Sequence, residues 1–234
     1  MTPTIFDRDL VLARRTRALG ANARLDALHR RAADDLADRL AATLRRFEIA
    51  VDIGSDGPEA AAALAAAPNV GRVLRLERLP LSRADALAVT EDLPHAPASV
   101  DLVVSLLTLQ TIDDLPGVLA QARRALRPDG LFLAALVGGR TLSELREALT
   151  VAEAEVEGGV SPRVAPFVDV RDMGGLLQRA GFALPVTDVD GFVVRHDDAF
   201  GLFRDLRALG ATNPLRERRR AGLKRATLAR ALGG

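Results

Sequence analysis

The sequence contains no cysteine, no tryptophan and no tyrosine among its 234 residues. Without thiols there is no disulfide framework, no thiolate nucleophile and no cysteine-based zinc site. Only three histidines occur, His29, His95 and His196. They are far apart and form no His-x-x-x-His pair, so no metal site is expected. Phenylalanine is the only aromatic residue, with 8 copies, which leaves little for stacking on nucleic-acid bases. An excess of one charge is missing too. Lys and Arg number 32 against 31 Asp and Glu, for a net charge of +1. Such a balance exerts no strong pull on nucleic acid or anionic lipid. No apolar run is long enough to span a bilayer, and Met1 to Asp9 lacks the apolar centre of a signal peptide. The expectation is a cytoplasmic protein with no nucleic-acid partner and no membrane span.

What is present suits a folded core. Hydrophobic residues make up 48% and charged residues 27% of the chain, a globular composition. Residues 8–46 carry Leu25, Leu28, Ala32, Leu36 and Leu40 at spacings of three and four, one apolar stripe of an amphipathic helix. The run Glu48 to Gly54 is apolar and ends in glycine. Ser55-Asp56-Gly57-Pro58 follows, then Glu59 to Ala67, a strong helix former with Pro58 suited to its first turn. Strand, glycine turn and helix in that order open a nucleotide-binding unit.

The alternation continues. Arg72 to Glu77, Val100 to Leu107 and Leu131 to Val137 read as strands, the last two continuously apolar, as in buried parallel sheets. Asp114 to Leu126 reads as a helix with Asp114 as its cap. Arg127 to Gly130 reads as a turn. Thr141 to Glu157 reads as a helix opened by a Thr141–Glu144 capping box. Beyond Gly158-Gly159 the spacing predicts an ordered loop over Val160 to Val168 and a helix over Asp172 to Ala180. Two strand-like runs follow, Leu184 to Val189 and Phe192 to Arg195. A helix over Asp198 to Leu209 and a basic helical tail over Leu215 to Leu232 complete the chain. Strands alternating with helices imply an α/β fold with a mainly parallel sheet covered on both faces.

Three segments resemble the class I S-adenosylmethionine-dependent methyltransferases. Val51-Asp52-Ile53-Gly54-Ser55-Asp56-Gly57 is similar to their first motif, Asp-x-Gly-x-Gly-x-Gly. Ser99 to Ser105 is similar to their fourth strand, and Leu126-Arg127-Pro128-Asp129-Gly130-Leu131-Phe132 to the turn before their fifth. A narrower resemblance covers nearly the whole chain. Ile5 to Arg8, Asp113 to Pro116, Gly138 to Arg146, Gly158 to Phe167 and Arg204 to Asn213 resemble the methyltransferase-like mitochondrial complex I assembly factor family and its bacterial relatives. More remotely, they resemble the biotin-pathway malonyl-carrier-protein methyltransferases.

That resemblance implies a single Rossmann-like domain over 1–234. It divides into a helical N-terminal arm (1–47), a cofactor-binding core (48–158) and a substrate and C-terminal part (159–234). It implies S-adenosylmethionine as cofactor and a protein or small-molecule methyl acceptor. Its alternative is a catalytically degenerate or hydroxylase-type assembly factor that acts on a subunit of respiratory complex I. The chain departs from the family at three places. Asp56 and Pro58 stand where loop glycines are expected, Gln110-Thr111 stands for a His-Trp pair, and the family continues past this C-terminus with a further strand.

The site residues are assigned physically where the chemistry allows. Gly54 and Gly57 let the backbone approach a ligand closely, with Ser55 between them. Asp52 ends the first strand and would orient the loop or the cofactor's amino group. Glu77 ends the second strand, where an acid bonds both ribose hydroxyls. Glu91-Asp92-Leu93-Pro94 resembles the family's loop that contacts the adenine amino group, which implies Glu91 or Asp92 as its acceptor. Leu107 and Gln110 follow the fourth strand, beside the transferred methyl, and Gln110 cannot act as a base near neutral pH. Arg140 and Arg163 sit in motif-like loops that could engage an acidic partner; the alternative is that they tie loops to helix ends or carboxylates. No catalytic residue is assigned, since transfer from a sulfonium needs alignment more than acid–base groups.

Overall fold

A computed structural model of the chain describes residues 4–20, 26–55, 57–77, 86–87 and 92–233. The N-terminal helices are α1 (Arg8–Gly20) and α2 (Asp26–Ala41). The alternating core comprises β1 (Phe47–Ile53), α3 (Glu59–Ala66), β2 (Val70–Glu77), β3 (Ala86–Leu87), β4 (Val100–Leu106), α4 (Leu115–Ala125) and β5 (Leu126–Ala135). Four helices follow: α5 (Ser143–Glu157), α6 (Val170–Arg179), α7 (Ala199–Ala208) and α8 (Arg225–Leu232).

The strands form one sheet in the order β3-β2-β1-β4-β5, with every pairing parallel. Parallel neighbours need crossovers, and the right-handed rule sends them to opposite faces when the strand order reverses. Alternate strand residues show the result. Ala50, Leu102 and Val104 pack with Leu36 and Leu40 of α2 and with Ala60 and Leu64 of α3. Val51, Ile53 and Val103 face the other way, against Ala122 and Ala125 of α4. Each fully buried leucine in these layers contributes roughly 1.5–3 kcal/mol. The order reverses between β1 and β4, and in open α/β sheets that reversal leaves a crevice at the strands' carboxyl ends.

Most local signals act as their chemistry predicts. Asp114 caps α4, accepting from the Gly117 amide at 3.0 Å. Pro58 precedes the first residue of α3. On β4 the polar exceptions are bonded. Asp101 accepts the Glu48 and Ile49 amides and pairs with Arg127, and the Ser105 hydroxyl donates to Ile53 O at 2.8 Å.

Four expectations fail. The Thr141–Glu144 capping box does not form. Helix α5 starts at Ser143, behind Leu142 in the left-handed region (φ 56°), with no side-chain cap. The Thr141 amide is instead turned back to Gly138 O at 2.9 Å. Arg127 to Gly130 is not a separate turn but a bulge inside β5. The β4–β5 register jumps from Val100↔Leu126 to Leu102↔Leu131, and Asp129 takes φ 59°. Leu184 to Val189 and Phe192 to Arg195 form no strand. Alternation makes a strand only where an edge supplies hydrogen bonds, and these runs pair with none; Leu184 is 92% exposed. The tail is helical only over Arg225–Leu232, because Leu215 is held in an isolated bridge to Phe6. No described helix is long and apolar enough to cross a membrane.

Candidate functional site

The carboxyl end of β1 turns through two glycines in the left-handed half of backbone space, Gly54 at φ 60° and Gly57 at φ 101°. That conformation strains any other residue, so both keep their place although the loop departs from the family pattern around them. Gly54 N donates to Leu76 O at 2.8 Å. Ser55 Oγ accepts the Leu106 amide at 2.8 Å. Thr108 Oγ1 donates to Gly54 O. The loop is thus tied to β2 on one side and to the end of β4 on the other.

Beneath the loop lies a charge cluster that the sheet register dictates. Asp52 pairs with Arg75, and Glu77, two residues along, shares the face of Arg75. Arg75 Nη2 donates to Gly57 O at 2.6 Å and to Ser55 O at 3.3 Å. Its guanidinium therefore holds the loop carbonyls from below. Arg75 Nε lies 3.5 Å from an Asp52 carboxylate oxygen. Asp52 is fully buried, and neither of its oxygens has a hydrogen-bond partner among the described residues. Burial pushes its carboxyl up to about 6, against the opposing pull of Ser55 and Arg75. A buried carboxylate in this condition favours either a proton or a cation.

Glu77 is covered by the N-terminal arm. Arg15 of α1 donates from Nη2 to Glu77 Oε2 at 3.2 Å and to Gly54 O at 3.3 Å. The Glu77 side chain is 1% exposed under it. The arm is fixed at several points. Asp113 accepts the Ile5 and Phe6 amides and pairs with Arg8. Asp7 pairs with Arg218. Arg14 donates to Thr212 O and Asn213 O.

Of the residues singled out in the sequence, Asp52, Gly54, Ser55, Gly57 and Glu77 come together here. Leu107 lies next to them in the left-handed region (φ 57°), its amide bonded to Ala135 O at 2.7 Å. Gln110 donates to Leu107 O at 2.7 Å, and its Oε1 is buried without a hydrogen-bond partner among the described residues. Asp56 and Glu91 lie outside the described residues. Asp92 is exposed, ahead of buried Leu93. Arg140 is exposed in the loop after β5. Arg163 is turned inward, donating from Nε to buried Glu153 at 2.8 Å, so it braces the loop after α5 rather than facing a substrate. His196 has no strand beneath it, and its Nε2 lies 2.6 Å from Asp205 Oδ2.

Sequence reasoning missed Arg15, Arg75 and Thr108. Arg75 was within reach, since a strand reading of Arg72 to Glu77 puts positions 75 and 77 on one face. Arg15 is 62 residues from Glu77 in sequence, and nothing local signals the pairing.

Comparison with known proteins adds three findings. The methyltransferase domain family matches residues 36–134. The chain is 36% identical over 224 residues to the human mitochondrial arginine-hydroxylase NDUFAF5, covering 91% of this chain and 65% of that protein. It is 37% identical over 235 residues to the malonyl-[acyl-carrier protein] O-methyltransferase of Laribacter hongkongensis, covering 91% and 77%. The chain therefore spans just under two thirds of the length of the human relative. In fold it resembles the crystal structure of an S-adenosylmethionine-dependent methyltransferase from Thermotoga maritima. The TM-score is 0.54 and the identity 20%, over 74% of this chain and 81% of that one.

Proposed function

This chain belongs to the methyltransferase-domain family that includes the malonyl-carrier-protein methyltransferases and the mitochondrial arginine hydroxylases, and from that premise we propose that it binds S-adenosylmethionine and methylates a protein or small-molecule acceptor. The observation that carries the proposal is Asp52, a buried carboxylate at the end of β1 with no hydrogen-bond partner on either oxygen among the described residues. Such a group is costly unless a ligand satisfies it, and the ammonium group of an amino-acid-bearing nucleoside is a fitting partner.

In this reading the chain's residues divide the work by position. Asp52 faces the ammonium group. Gly54, Ser55 and Gly57 offer backbone close to the ligand. Glu77 accepts the ribose hydroxyls, and the loop at Glu91 and Asp92 meets the adenine. Leu107 and Gln110 border the reacting centre. The unpartnered Gln110 Oε1 is suited to orienting an acceptor and not to removing its proton. Arg140, exposed after β5, is the candidate contact to an acidic acceptor. The bound cofactor supplies a methyl group already activated on its sulfonium; the protein contributes alignment. The helical arm over 1–47, the core over 48–158 and the part over 159–234 are then lid, cofactor platform and acceptor side of one domain.

A second reading is favoured by one observation, the Arg15 guanidinium already seated on Glu77. It is a binding or hydroxylase-type assembly factor for a protein partner, in line with the arginine-hydroxylase relatives, with a respiratory complex I subunit as the partner that resemblance suggests. Calorimetric titration with S-adenosylmethionine and S-adenosylhomocysteine separates the two. Saturable heat that is lost in Asp52→Asn supports the first. Absence of heat and of a thermal shift at millimolar ligand rejects it. A partner complex that survives the double change Asp52→Asn, Glu77→Gln then supports the second.

A further inference from the structure

We propose that Arg15 is an internal competitor for the nucleoside, standing where the ribose hydroxyls must bind, so that ligand entry requires α1 to give up its hold on Glu77. The inference rests on the reading of Glu77 as the ribose acceptor and goes beyond it.

Three observations support it. Glu77 is 1% exposed, and the Arg15 side chain above it 15% exposed, so a diol reaches the carboxylate only after the guanidinium leaves. Arg15 also bonds Gly54 O at 3.3 Å, which places one cation across the carboxyl ends of β1 and β2. Finally, Arg15 is delivered by a helix whose own anchors are elsewhere. Asp113 lies just ahead of α4, and Arg218, Thr212 and Asn213 lie in the C-terminal part. Release of Arg15 therefore leaves the arm attached at Ile5 to Arg14, and the cost of opening is set chiefly by the contacts of the guanidinium itself. The diol restores hydrogen bonds to Glu77 as the guanidinium leaves, so the net penalty is that of exchanging one set of hydrogen bonds for another, about 1 kcal/mol or roughly fivefold in affinity.

The test compares wild-type protein with Arg15→Ala and Arg15→Gln, titrated with adenosine and with 2′,3′-dideoxyadenosine, which lacks both ribose hydroxyls. Both variants are expected to bind adenosine roughly fivefold more tightly or better, with dideoxyadenosine unchanged. An equal change for the two nucleosides, or no gain for adenosine, overturns the proposal. Hydrogen exchange on wild-type protein needs no variant. Adenosine should speed exchange of the α1 amides beyond Arg14 and dideoxyadenosine should not; added protection of that segment overturns the idea. S-adenosylhomocysteine run in parallel distinguishes the levels. Binding of it to wild type, with no adenosine gain in either variant, removes Arg15 as a competitor and leaves the cofactor reading standing. Binding by neither wild type nor variants overturns both. A silent wild type beside a binding Arg15→Ala supports the competitor role most directly.

Discussion

Two buried carboxylates, Asp52 and Glu153, are equally hidden and differ in almost everything else. Both are fully inaccessible to solvent. Glu153 on α5 takes two donors from Arg163 and one from the Ser161 amide, so its oxygens are satisfied and the loop after α5 is pinned to the helix. Asp52 has no hydrogen-bond partner on either oxygen among the described residues and is pushed up to about 6 by burial. Nearby, Glu157 resembles Glu153. Thr227, Arg219 and Lys224 all converge on it, and Thr227 leads the causes that hold its carboxyl down at about 2. The contrast teaches where to expect a ligand. A saturated buried carboxylate is a structural rivet, whereas one at a strand's carboxyl end that is held only by an ion pair and no hydrogen bond is where a ligand is expected.

Breaking the rivet should give the largest effect. Glu153→Gln leaves Arg163 facing a neutral group and should cost about 3 kcal/mol of stability, the usual loss when one member of a buried pair is removed. Urea unfolding at neutral pH measures it, and a loss below about 1 kcal/mol would erase the contrast with Asp52. Asp52→Asn should act in the opposite direction. The folded carboxyl is raised from 3.8 to about 6, so the fold holds its proton more tightly than the unfolded chain does. Wild-type stability is therefore greatest below about pH 4 in this respect and declines as pH rises through 6. The Asn variant should be more stable than wild type by roughly 2–3 kcal/mol at pH 8, with the gain vanishing near pH 4. If the variant is less stable at pH 8, the carboxylate is satisfied in a way the geometry does not reveal.

The smallest effect concerns Glu157. Its carboxyl is lowered from 4.5 to about 2, so its contribution is present above pH 4.5 and is lost as pH falls toward 2. Because Thr227, Lys224 and Arg219 flank or lie on α8, acidification should loosen that helix ahead of the core. Hydrogen exchange across pH 5 to 3 should show α8 amides losing protection while β1 and β4 amides keep theirs. Simultaneous loss in both would make α8 part of one cooperative unit with the sheet.

Much of the frame was legible in order and type. β1, β2, β4, α3 and α4 fall within a residue or two of their expected places. The reason is that a parallel sheet buried on both faces needs continuous apolar strands, and capped helices announce their starts. The failures share a cause as well. Leu184 to Arg195 alternates like a strand, but pairing depends on a free edge elsewhere in the fold. Thr141 and Glu144 are spaced as a capping box, but the backbone reverses at Leu142 and starts the helix later. Of the two readings open for Arg163, a substrate contact or a loop tie to a carboxylate, spacing could not choose; Glu153, ten residues earlier in sequence, makes it the tie.

The sequence alone determined the α/β alternation, the glycine turn after Asp52 and the acid that ends the second strand, because these follow from local periodicity and from which residues tolerate which backbone. Only the tertiary structure decided that Arg75 underpins that turn, that Asp52 is buried beside Arg75 with no hydrogen bond from the described residues, and that Arg15 closes over Glu77. Those are long-range electrostatic facts. They depend on sheet register and on where a remote helix docks, and no spacing along the chain encodes either.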